Sequence, residues 1–412
     1  MTNFHTLAFI LCFAAAGAYI NHKYLKLPAT IGLTMIALLI SLIMVGLADL
    51  GLINLAALRA SIDSIDFSGF FLHGVLAFLL FAGALHIDLS ELRKFRILVA
   101  LLATISVVVA TFCTAGMVWD GARLLGFNFP YIDALLFGAL IAPTDPVAVL
   151  GVLKETKLAK GLRIKIASES LFNDGVGVVV FLALLSISKG ERLPDISMIF
   201  LTLIWGGIGS VILGLTLGWL THQLLNSIDD YKVEVLLTLA LVTGGYVLAE
   251  AIDVSAPITM VIAGLFVGNH GHVFSTPEKN RKHLDLFWEL LDEIINALLF
   301  MFLGLEMIVL TINDQRIVLG LIAILAMVAG RFISVALPVL IMRLQYRFEK
   351  GTIRLLTWGG LRGGISIAMA LALPPGAERD LIITMTYIAV VFSILFQGTT
   401  FRHVAKLIAR RD

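Results

Sequence analysis

The stretch Ala142-Pro143-Thr144-Asp145-Pro146 places a carboxylate between two prolines inside a strongly apolar part of the chain. Proline lacks an N–H group and disfavours helical backbone at the residue before it, so a helix entering this stretch should break near Asp145. Non-helical backbone is tolerated at membrane depth only where protein buries it or where it lines a wet cavity. A break that carries Thr144 and Asp145 therefore predicts a cation site; the alternative is a proline kink in which Asp145 bonds a freed N–H group.

A second apolar stretch, Glu169-Ser170-Leu171-Phe172-Asn173-Asp174, also contains acids. From Lys165, at the inner edge of its span, to Asp174 is about 13.5 Å of helix rise, which puts Asp174 near the middle of a hydrocarbon core about 30 Å thick. Ser170 lies one turn away on the same face. A carboxylate at that depth marks an ion path and, when partly desolvated, can carry a proton near neutral pH. Such a site holds either a cation or a proton, the minimum for exchange; a purely structural Asp174 is the alternative.

The composition of the chain assigns it to a membrane. Its 412 residues are 59% hydrophobic and 14% charged, and the mean hydropathy is +0.98, outside the soluble globular range. The net charge of +1 gives no indication of a nucleic acid partner. Cys12 and Cys113 lie in apolar runs, which argues against a disulfide framework. The first apolar run, residues 6–20, lacks a preceding basic region and is predicted to be a span rather than a cleaved signal peptide.

Apolar runs that can cross a bilayer predict thirteen helices in one membrane domain, residues 1–412. We therefore expect an all-α integral membrane protein. The approximate spans are 5–20, 27–47, 67–85, 97–118, 131–153, 164–188, 198–224, 232–251, 255–269, 286–310, 316–342, 353–373 and 381–400.

The basic residues give the orientation of these spans. With the N-terminus outside, most of the 30 Lys and Arg residues fall in inner loops. The outer loops hold only Arg59, Arg123, Lys189, Arg192, Arg316 and Arg379, and two arginines lie within spans. This bias predicts an outside N-terminus, a cytoplasmic C-terminus and an odd number of spans.

The two arginines at membrane depth are Arg331 and Arg362. A buried guanidinium needs a carboxylate or carbonyl partner, because an unpaired charge at depth is costly. We predict a structural ion pair between Glu169 and Arg331, which leaves Asp174 free to titrate. Arg362 lies in a glycine-rich run that should unwind near Gly363 and Gly364.

The two interrupted spans occupy matching positions in two six-span halves, spans 1–6 and 8–13. This pattern is typical of an inverted-repeat transporter. Other polar residues near span ends (Asn296 and Glu306 among them) are interpreted as interfacial or vestibule residues, and Asp292 with Glu293 could form an acidic funnel for cations. The histidines show no metal-ligand spacing.

The two acidic motifs together resemble the first monovalent cation:proton antiporter family, the NhaP/NHE type. Ala-Pro-Thr-Asp-Pro is followed about 25 residues on by Glu-Ser-Leu-Phe-Asn-Asp-Gly. Residues 287–296, 304–306, 330–331 and 359–364 are similar to later motifs of that family. The resemblance covers nearly the whole chain.

The resemblance implies a sodium/proton antiporter fold: two inverted six-helix repeats with two broken, crossing helices. It also implies a homodimer in which a core part moves like an elevator against a dimerisation part. The dimerisation part would cover about residues 1–90 and 232–310, and the core or transport part about 97–188 and 316–400, with 198–224 as the linking helix.

For the site, the resemblance implies that Asp174 is the exchanged carboxylate, helped by Asp145, Ser170 and Thr144. Sodium would be held at these four residues, with Asn173 near the helix crossing. Relatives with Asn before the final Asp are expected to be electroneutral, with one cation exchanged for one proton. Many relatives carry an acid in the third span, where this chain reads Leu79-Leu80-Phe81-Ala82-Gly83-Ala84, so no carboxylate ligand is expected from that span.

The sequence thus predicts an electroneutral sodium (or lithium)/proton antiporter of the inner, or plasma, membrane, active in pH homeostasis. It would be a transporter rather than an enzyme, with no cofactor besides the transported ions. Potassium or ammonium exchange is an alternative that the sequence does not separate. A passive cation channel would use similar acids, although paired broken helices favour alternating access. An intramembrane aspartyl protease would need Asp145 and Asp174 to share a proton and a water.

Overall fold

The computed structural model describes residues 3–56, 58–59, 67–145, 149, 160–190, 196–270, 278–310, 313–343, 348 and 351–409. All regular elements within these residues are helical, as expected where the backbone must satisfy its own hydrogen bonds in lipid. Eight helices of the described part are long and apolar enough to cross a membrane. The all-α membrane architecture is therefore confirmed, while the count of thirteen spans stays a prediction.

The described helices are numbered in chain order. They are α1 (Asn3–Ile20), α2 (Ala29–Asp49), α3 (Phe67–Leu85), α4 (Leu89–Ala103), α5 (Ile105–Leu124), α6 (Tyr131–Ile141), α7 (Lys160–Ser188), α8 (Ile196–Asn226), α9 (Tyr231–Ala251), α10 (Ala256–His270), α11 (Glu278–Glu306), α12 (Asp314–Met342), α13 (Thr352–Trp358), α14 (Gly364–Leu371), α15 (Ala377–Phe392) and α16 (Gly398–Ala409). Three π-helical turns occur, at Asn21–Leu25, at Phe71–Val75 inside α3, and at Ser393–Gln397 between α15 and α16.

Several helix starts are fixed by short polar side chains. Asp88, Asp230 and Asn313 precede α4, α9 and α12, and each accepts a hydrogen bond from a backbone N–H of the first turn. Such caps satisfy N–H groups that have no partner within the helix. Local sequence therefore sets where these helices begin.

The helices pack in two groups that meet at the broken segments. In one group α5 packs against α6 and α12, and α12 against α15; in the other α2 packs against α11, and α10 against α3 and α8. The short α14 contacts α6, α7 and α11. The division into core and dimerisation parts stays a prediction, because packing within one protomer does not show which parts move.

Both breaks lie close to their predicted positions. In the fifth predicted span helix α6 ends at Ile141, and most of the second half of that span, residues 146–148 and 150–153, lies outside the described residues. The twelfth span is interrupted over residues 359–363, slightly before the predicted point, since Gly364 already begins α14. Gly364 is needed for close packing, because a Cβ there would overlap the side chain of Leu299.

Two charged residues predicted near span ends are buried by the fold. Lys165 is the second residue of the candidate membrane span Ile164–Ser188, near its edge as predicted, and holds its ammonium 4.4 Å from the ring centroid of Phe95, where the aromatic face stabilises the charge. Glu306 lies at the end of α11, as expected, and is buried there. A position near a span end therefore does not by itself mean exposure to solvent.

Candidate cation and proton site

The two broken helices supply each other's missing hydrogen-bond partners. The backbone N–H of Asp145 donates to the carbonyl of Leu361, with N···O 2.7 Å. In return, the guanidinium of Arg362 donates to the carbonyls of Ala142 and Pro143, at 2.6 Å for Pro143. A helix end leaves carbonyls without partners and carries partial negative charge, which a cation stabilises. Arg362 therefore provides hydrogen-bond donors for the carbonyls at the break after α6, and it links that break to the one before α14.

Two glycines of the second break, the non-helical residues 359–363 before α14, leave room for charged side chains. A Cβ at Gly363 would overlap the carboxylate of Asp145, and a Cβ at Gly360 would lie 2.5 Å from Nε of Arg331. Because real Cβ atoms do not approach so closely, only glycine permits this contact. The lack of a side chain at Gly360 and Gly363 thus leaves room for the side chains of Arg331 and Asp145.

Hydrogen bonds from helix α7 to Thr144 hold the first break, the non-helical residues 142–145 after α6, in place. The backbone N–H of Thr144 donates to Oδ1 of Asn173 at 3.1 Å, and its Oγ1 accepts from Nδ2 of Asn173 at 2.8 Å. The hydroxyl of Ser170 donates to the carbonyl of Thr144, and the two hydroxyl oxygens are 3.0 Å apart. All three residues are buried. Asn173 therefore substitutes for the missing helical partners of the break, while its predicted place near a helix crossing stays a prediction.

Glu169 and Arg331 form a buried, bidentate ion pair. Both N···O distances are 2.8 Å, and only 1% of Glu169 and 4% of Arg331 is exposed. Glu169 Oε1 also accepts from Nδ2 of Asn173 at 2.6 Å, and Arg331 donates to the carbonyl of Leu356 at 3.3 Å. A buried pair of this geometry has most of its hydrogen-bonding capacity satisfied. The pairing is the one predicted from the sequence; its structural role stays a prediction.

Asp174 contrasts with Glu169. It is 6% exposed, and within the described part of the chain its Oδ1 is buried without a hydrogen-bond partner. Nε of Arg331 and Nε of Arg362 also lack partners, but among the described residues Oδ1 of Asp174 is the one carboxylate oxygen in this condition. An unpaired buried carboxylate oxygen is costly, so this is a position that a cation, a proton or water can complete.

The unpaired oxygen belongs to a residue that lines a cavity of about 150 Å³. Thr144 and Asp145 of the first break and Ser366 of α14 also line it. A water takes about 30 Å³ of liquid, so the cavity has room for a cation with a few waters. The remaining described lining residues are Phe71, Leu76, Leu79, Leu80, Gly83, Ile87, Pro143, Ala167, Leu171, Asp292, Asn296, Leu299, Gly363, Gly364 and Ile365.

The cavity separates the predicted site residues into two sets. Asp174, Asp145 and Thr144 are at its wall. Ser170 and Asn173 are absent from the described lining and lie behind Thr144, which they hold by hydrogen bonds. The structure thus brings all five together, three facing the cavity and two as supports.

Two residues of α11, Asp292 and Asn296, line the same cavity. The sequence analysis predicted an acidic funnel of Asp292 with Glu293 and an interfacial or vestibule position for Asn296, but not that both reach the cavity of Asp174. Asn296 is buried and its Nδ2 donates to the carbonyl of Asp292 at 2.9 Å. Their spacing of four residues, which places both on one helix face, was the available signal. The neighbouring Glu293 is exposed and is absent from the described lining.

Comparisons with known proteins agree with this geometry. Residues 9–407 match the model of a family described as sodium/hydrogen exchanger, transmembrane. The chain is 46% identical over 385 residues to the Na⁺/H⁺ antiporter NhaP of Pseudomonas aeruginosa, covering 92% of this chain and 91% of that protein. It is 31% identical over 390 residues to the Na⁺/H⁺ antiporter NhaH of Halobacillus dabanensis, with 93% of each covered.

The solved structure of the sodium proton antiporter MjNhaP1 from Methanocaldococcus jannaschii has the same fold, with a TM-score of 0.76, 20% identity and 98% of both chains covered. The family resemblance of the motifs is thereby confirmed. This chain is a multi-pass membrane protein that belongs to the transmembrane sodium/hydrogen exchanger family.

Proposed function

We propose that this protein is an electroneutral sodium/proton antiporter in which one sodium ion and one proton compete for the carboxylate of Asp174. Its relatives in Pseudomonas and Halobacillus carry the name Na⁺/H⁺ antiporter, and the chain belongs to the same family. The observation that carries the proposal is the buried, unpartnered Oδ1 of Asp174 at the wall of a cavity.

The environment of Asp174 explains why exchange would be coupled. A charged carboxylate at membrane depth is stabilised by a bound cation, and a protonated one carries no charge. With neither ion bound, the site would hold an uncompensated buried charge, and moving it between the two sides of the membrane would be unfavourable. The cation-bound and the protonated forms of the site would therefore cross the membrane in turn, whereas the empty, charged form would not.

The ligands proposed for sodium are oxygens of Asp174, Asp145 and Thr144, all from residues at the cavity wall. Ser170 and Asn173 support the site by fixing Thr144. Lithium, which carries the same charge in a smaller ion, would enter the same site.

The proposed one-to-one stoichiometry is supported by the partners that other charges near the breaks already have. Glu169 is held by Arg331, and Arg362 by carbonyls of the first break. Asn173 is uncharged, so Asp174 remains as the exchanging carboxylate beside the crossing. One positive charge then leaves for each that enters.

Alternating access is proposed to take place in a homodimer of the plasma membrane, with the N-terminus outside and the C-terminus cytoplasmic. The helices around the two breaks would move together, because Arg362 and Asp145 bond each break to the other. This would carry the site across the membrane as one body, as in an elevator.

The test is sodium-driven proton movement in proteoliposomes. Purified protein is reconstituted with an internal pH dye, and sodium, potassium and lithium are added in turn, with the membrane potential either free or clamped by potassium and valinomycin. Sodium-driven proton release that the clamp leaves unchanged is expected.

Three other outcomes would change the proposal. Proton release with potassium alone would assign another cation, and a strong response to the clamp would overturn the stoichiometry. Ion flux without proton movement would indicate a channel. Protein carrying Asp174→Asn is the matched control.

A further inference from the structure

Asp292 is an acidic residue that the exchange mechanism above does not use, although it lines the same cavity as Asp174 and Asp145. It reaches the cavity from α11, whereas Asp145 follows α6 and Asp174 lies on α7. Three carboxylates from three separate parts of the chain thus border one space of about 150 Å³.

The geometry of α11 directs Asp292 into this space. Asp292, Asn296 and Leu299 all line the cavity, and their spacing of four and three residues defines one helix face. Glu293, one residue further on, is exposed and is absent from the described lining. Helix α11 therefore offers two adjacent carboxylates, one at the cavity and one away from it.

The charged side chains of the described cavity lining are acidic. They are three carboxylates, with no Lys or Arg side chain beside them, while the guanidinium of Arg362 acts on Asp174 from outside the lining and donates to the carbonyls of Pro143 and Ala142. In a space with low-dielectric walls, a group of carboxylates raises the local concentration of cations.

A second observation points to a ligand in this space rather than to a mere acidic cluster. Oδ1 of Asp174, itself in the wall, is buried and has no partner among the described residues. On the α3 side, Leu79, Leu80 and Gly83 line the cavity and supply no side-chain oxygen. Among the described lining residues, the one carboxylate besides those of Asp145 and Asp174 is that of Asp292, on α11.

We propose that Asp292 binds the incoming monovalent cation in the cavity together with Asp174 and so determines the apparent affinity for sodium. The inference rests on the proposed function, since it assigns a further residue to the same cation path. Asp292 receives the partly hydrated ion, and Asn296 beside it fixes the local helix through its bond to the Asp292 carbonyl.

The test compares Asp292→Asn with Glu293→Gln, which removes the adjacent carboxylate outside the cavity. Two readouts are used on purified protein: the rise in melting temperature with sodium concentration, which reports binding without transport, and the KM and maximal rate of sodium-driven proton release. Asp292→Asn is expected to raise both the apparent dissociation constant and the KM about ten-fold, with a maximal rate close to that of the unmodified protein. Glu293→Gln is expected to change neither.

Restoring a carboxylate to the cavity from another helix, α3, sharpens the test. Gly83 lines the cavity, and a Cβ there would meet only Cδ1 of Leu171, at 3.4 Å, within 4 Å. Adding Gly83→Asp to Asp292→Asn is therefore expected to recover most of the lost affinity. Asp292→Ser serves as a second variant if Asp292→Asn is poorly folded, as judged by its melting temperature without sodium.

The outcomes separate this inference from the proposed function. Sodium binding without exchange in the unmodified protein would overturn the antiport proposal and leave the role of Asp292 standing if Asp292→Asn weakens that binding. Equal sodium affinity of the unmodified protein and Asp292→Asn, or a fall in maximal rate at unchanged KM, would overturn the inference while antiport stands. No sodium-dependent stabilisation of the unmodified protein would overturn both.

Discussion

Two acidic residues of α7, Glu169 and Asp174, lie little more than one helical turn apart and have opposite surroundings. Glu169 is bonded to both Nη atoms of Arg331 and to the amide of Asn173. Asp174 keeps a buried oxygen without a partner at a cavity wall. Both residues are buried, so depth alone does not distinguish them. The comparison teaches that packing gives two acids of one helix different partners, which is the physical basis for proposing that Glu169 holds helices together and that Asp174 exchanges an ion.

The largest expected effect comes from removing the unpaired carboxylate. Asp174→Asn should lower sodium-driven proton release by at least about 100-fold, since an amide neither carries the proton nor offers a negative charge to the cation. The melting temperature should stay the same or rise, because an uncompensated buried charge is lost. Dye-loaded proteoliposomes and thermal unfolding in detergent measure the two effects. Exchange retained by this variant would refute the site.

Removing the paired carboxylate should affect stability instead. Glu169→Gln leaves the guanidinium of Arg331 buried without its counter-ion, and we expect a loss of about 3–5 kcal/mol in the free energy of unfolding. Denaturant unfolding in detergent measures it, and the double variant with Arg331→Gln should recover part of the loss. If Glu169→Gln is as stable as the unmodified protein but inactive, Glu169 is a transport residue and the contrast with Asp174 fails.

An intermediate effect is expected at Thr144, which belongs to both environments. Its hydroxyl is hydrogen-bonded to Asn173 and Ser170, and the residue lines the cavity. Thr144→Val keeps the side-chain shape but removes the oxygen, and we expect the KM for sodium to rise about ten-fold. Ser170→Ala, behind the wall, should raise it by less. The reverse order in a sodium titration would show that Ser170, not Thr144, contacts the ion.

The smallest effect on transport is expected for Asn173→Asp. The amide of Asn173 donates to Glu169 Oε1 at 2.6 Å, so a carboxylate there would face another carboxylate unless it held a proton. We expect some loss of thermal stability, yet only a few-fold loss of exchange, far less than for Asp174→Asn. The same proteoliposomes under a valinomycin clamp would show whether a second acid introduces voltage dependence. Complete loss of exchange in a folded variant would contradict this expectation.

Much of the fold and part of the site could be predicted from the sequence because the signals are local. Long apolar runs, prolines around Asp145 and the glycines near Arg362 indicate helices and breaks within a few residues of where they occur. Acids in such runs identify Asp145, Glu169 and Asp174, since charge at membrane depth is rare and functional.

That Asp292 lines the cavity while Glu293 does not could not be predicted, because it depends on which way a face of α11 points in the folded bundle. Residues near a span end look alike in sequence whether they face solvent or a cavity. The burial of Lys165 could not be predicted for a similar reason: the aromatic ring that accommodates its charge is that of Phe95, on α4.

The sequence by itself determined that this protein is a helical membrane transporter with acids at depth and two interrupted helices, because each of those properties follows from neighbouring residues. Only the tertiary structure decided which acid has an ion-pair partner and which keeps a buried oxygen without a hydrogen bond. Glu169 meets Arg331 across 162 positions of the chain, and Arg362 meets the carbonyl of Ala142 across 220. Such pairings depend on how the helices pack. The partner that packing supplies decides whether a buried charge is neutralised in an ion pair or remains able to bind an ion or a proton.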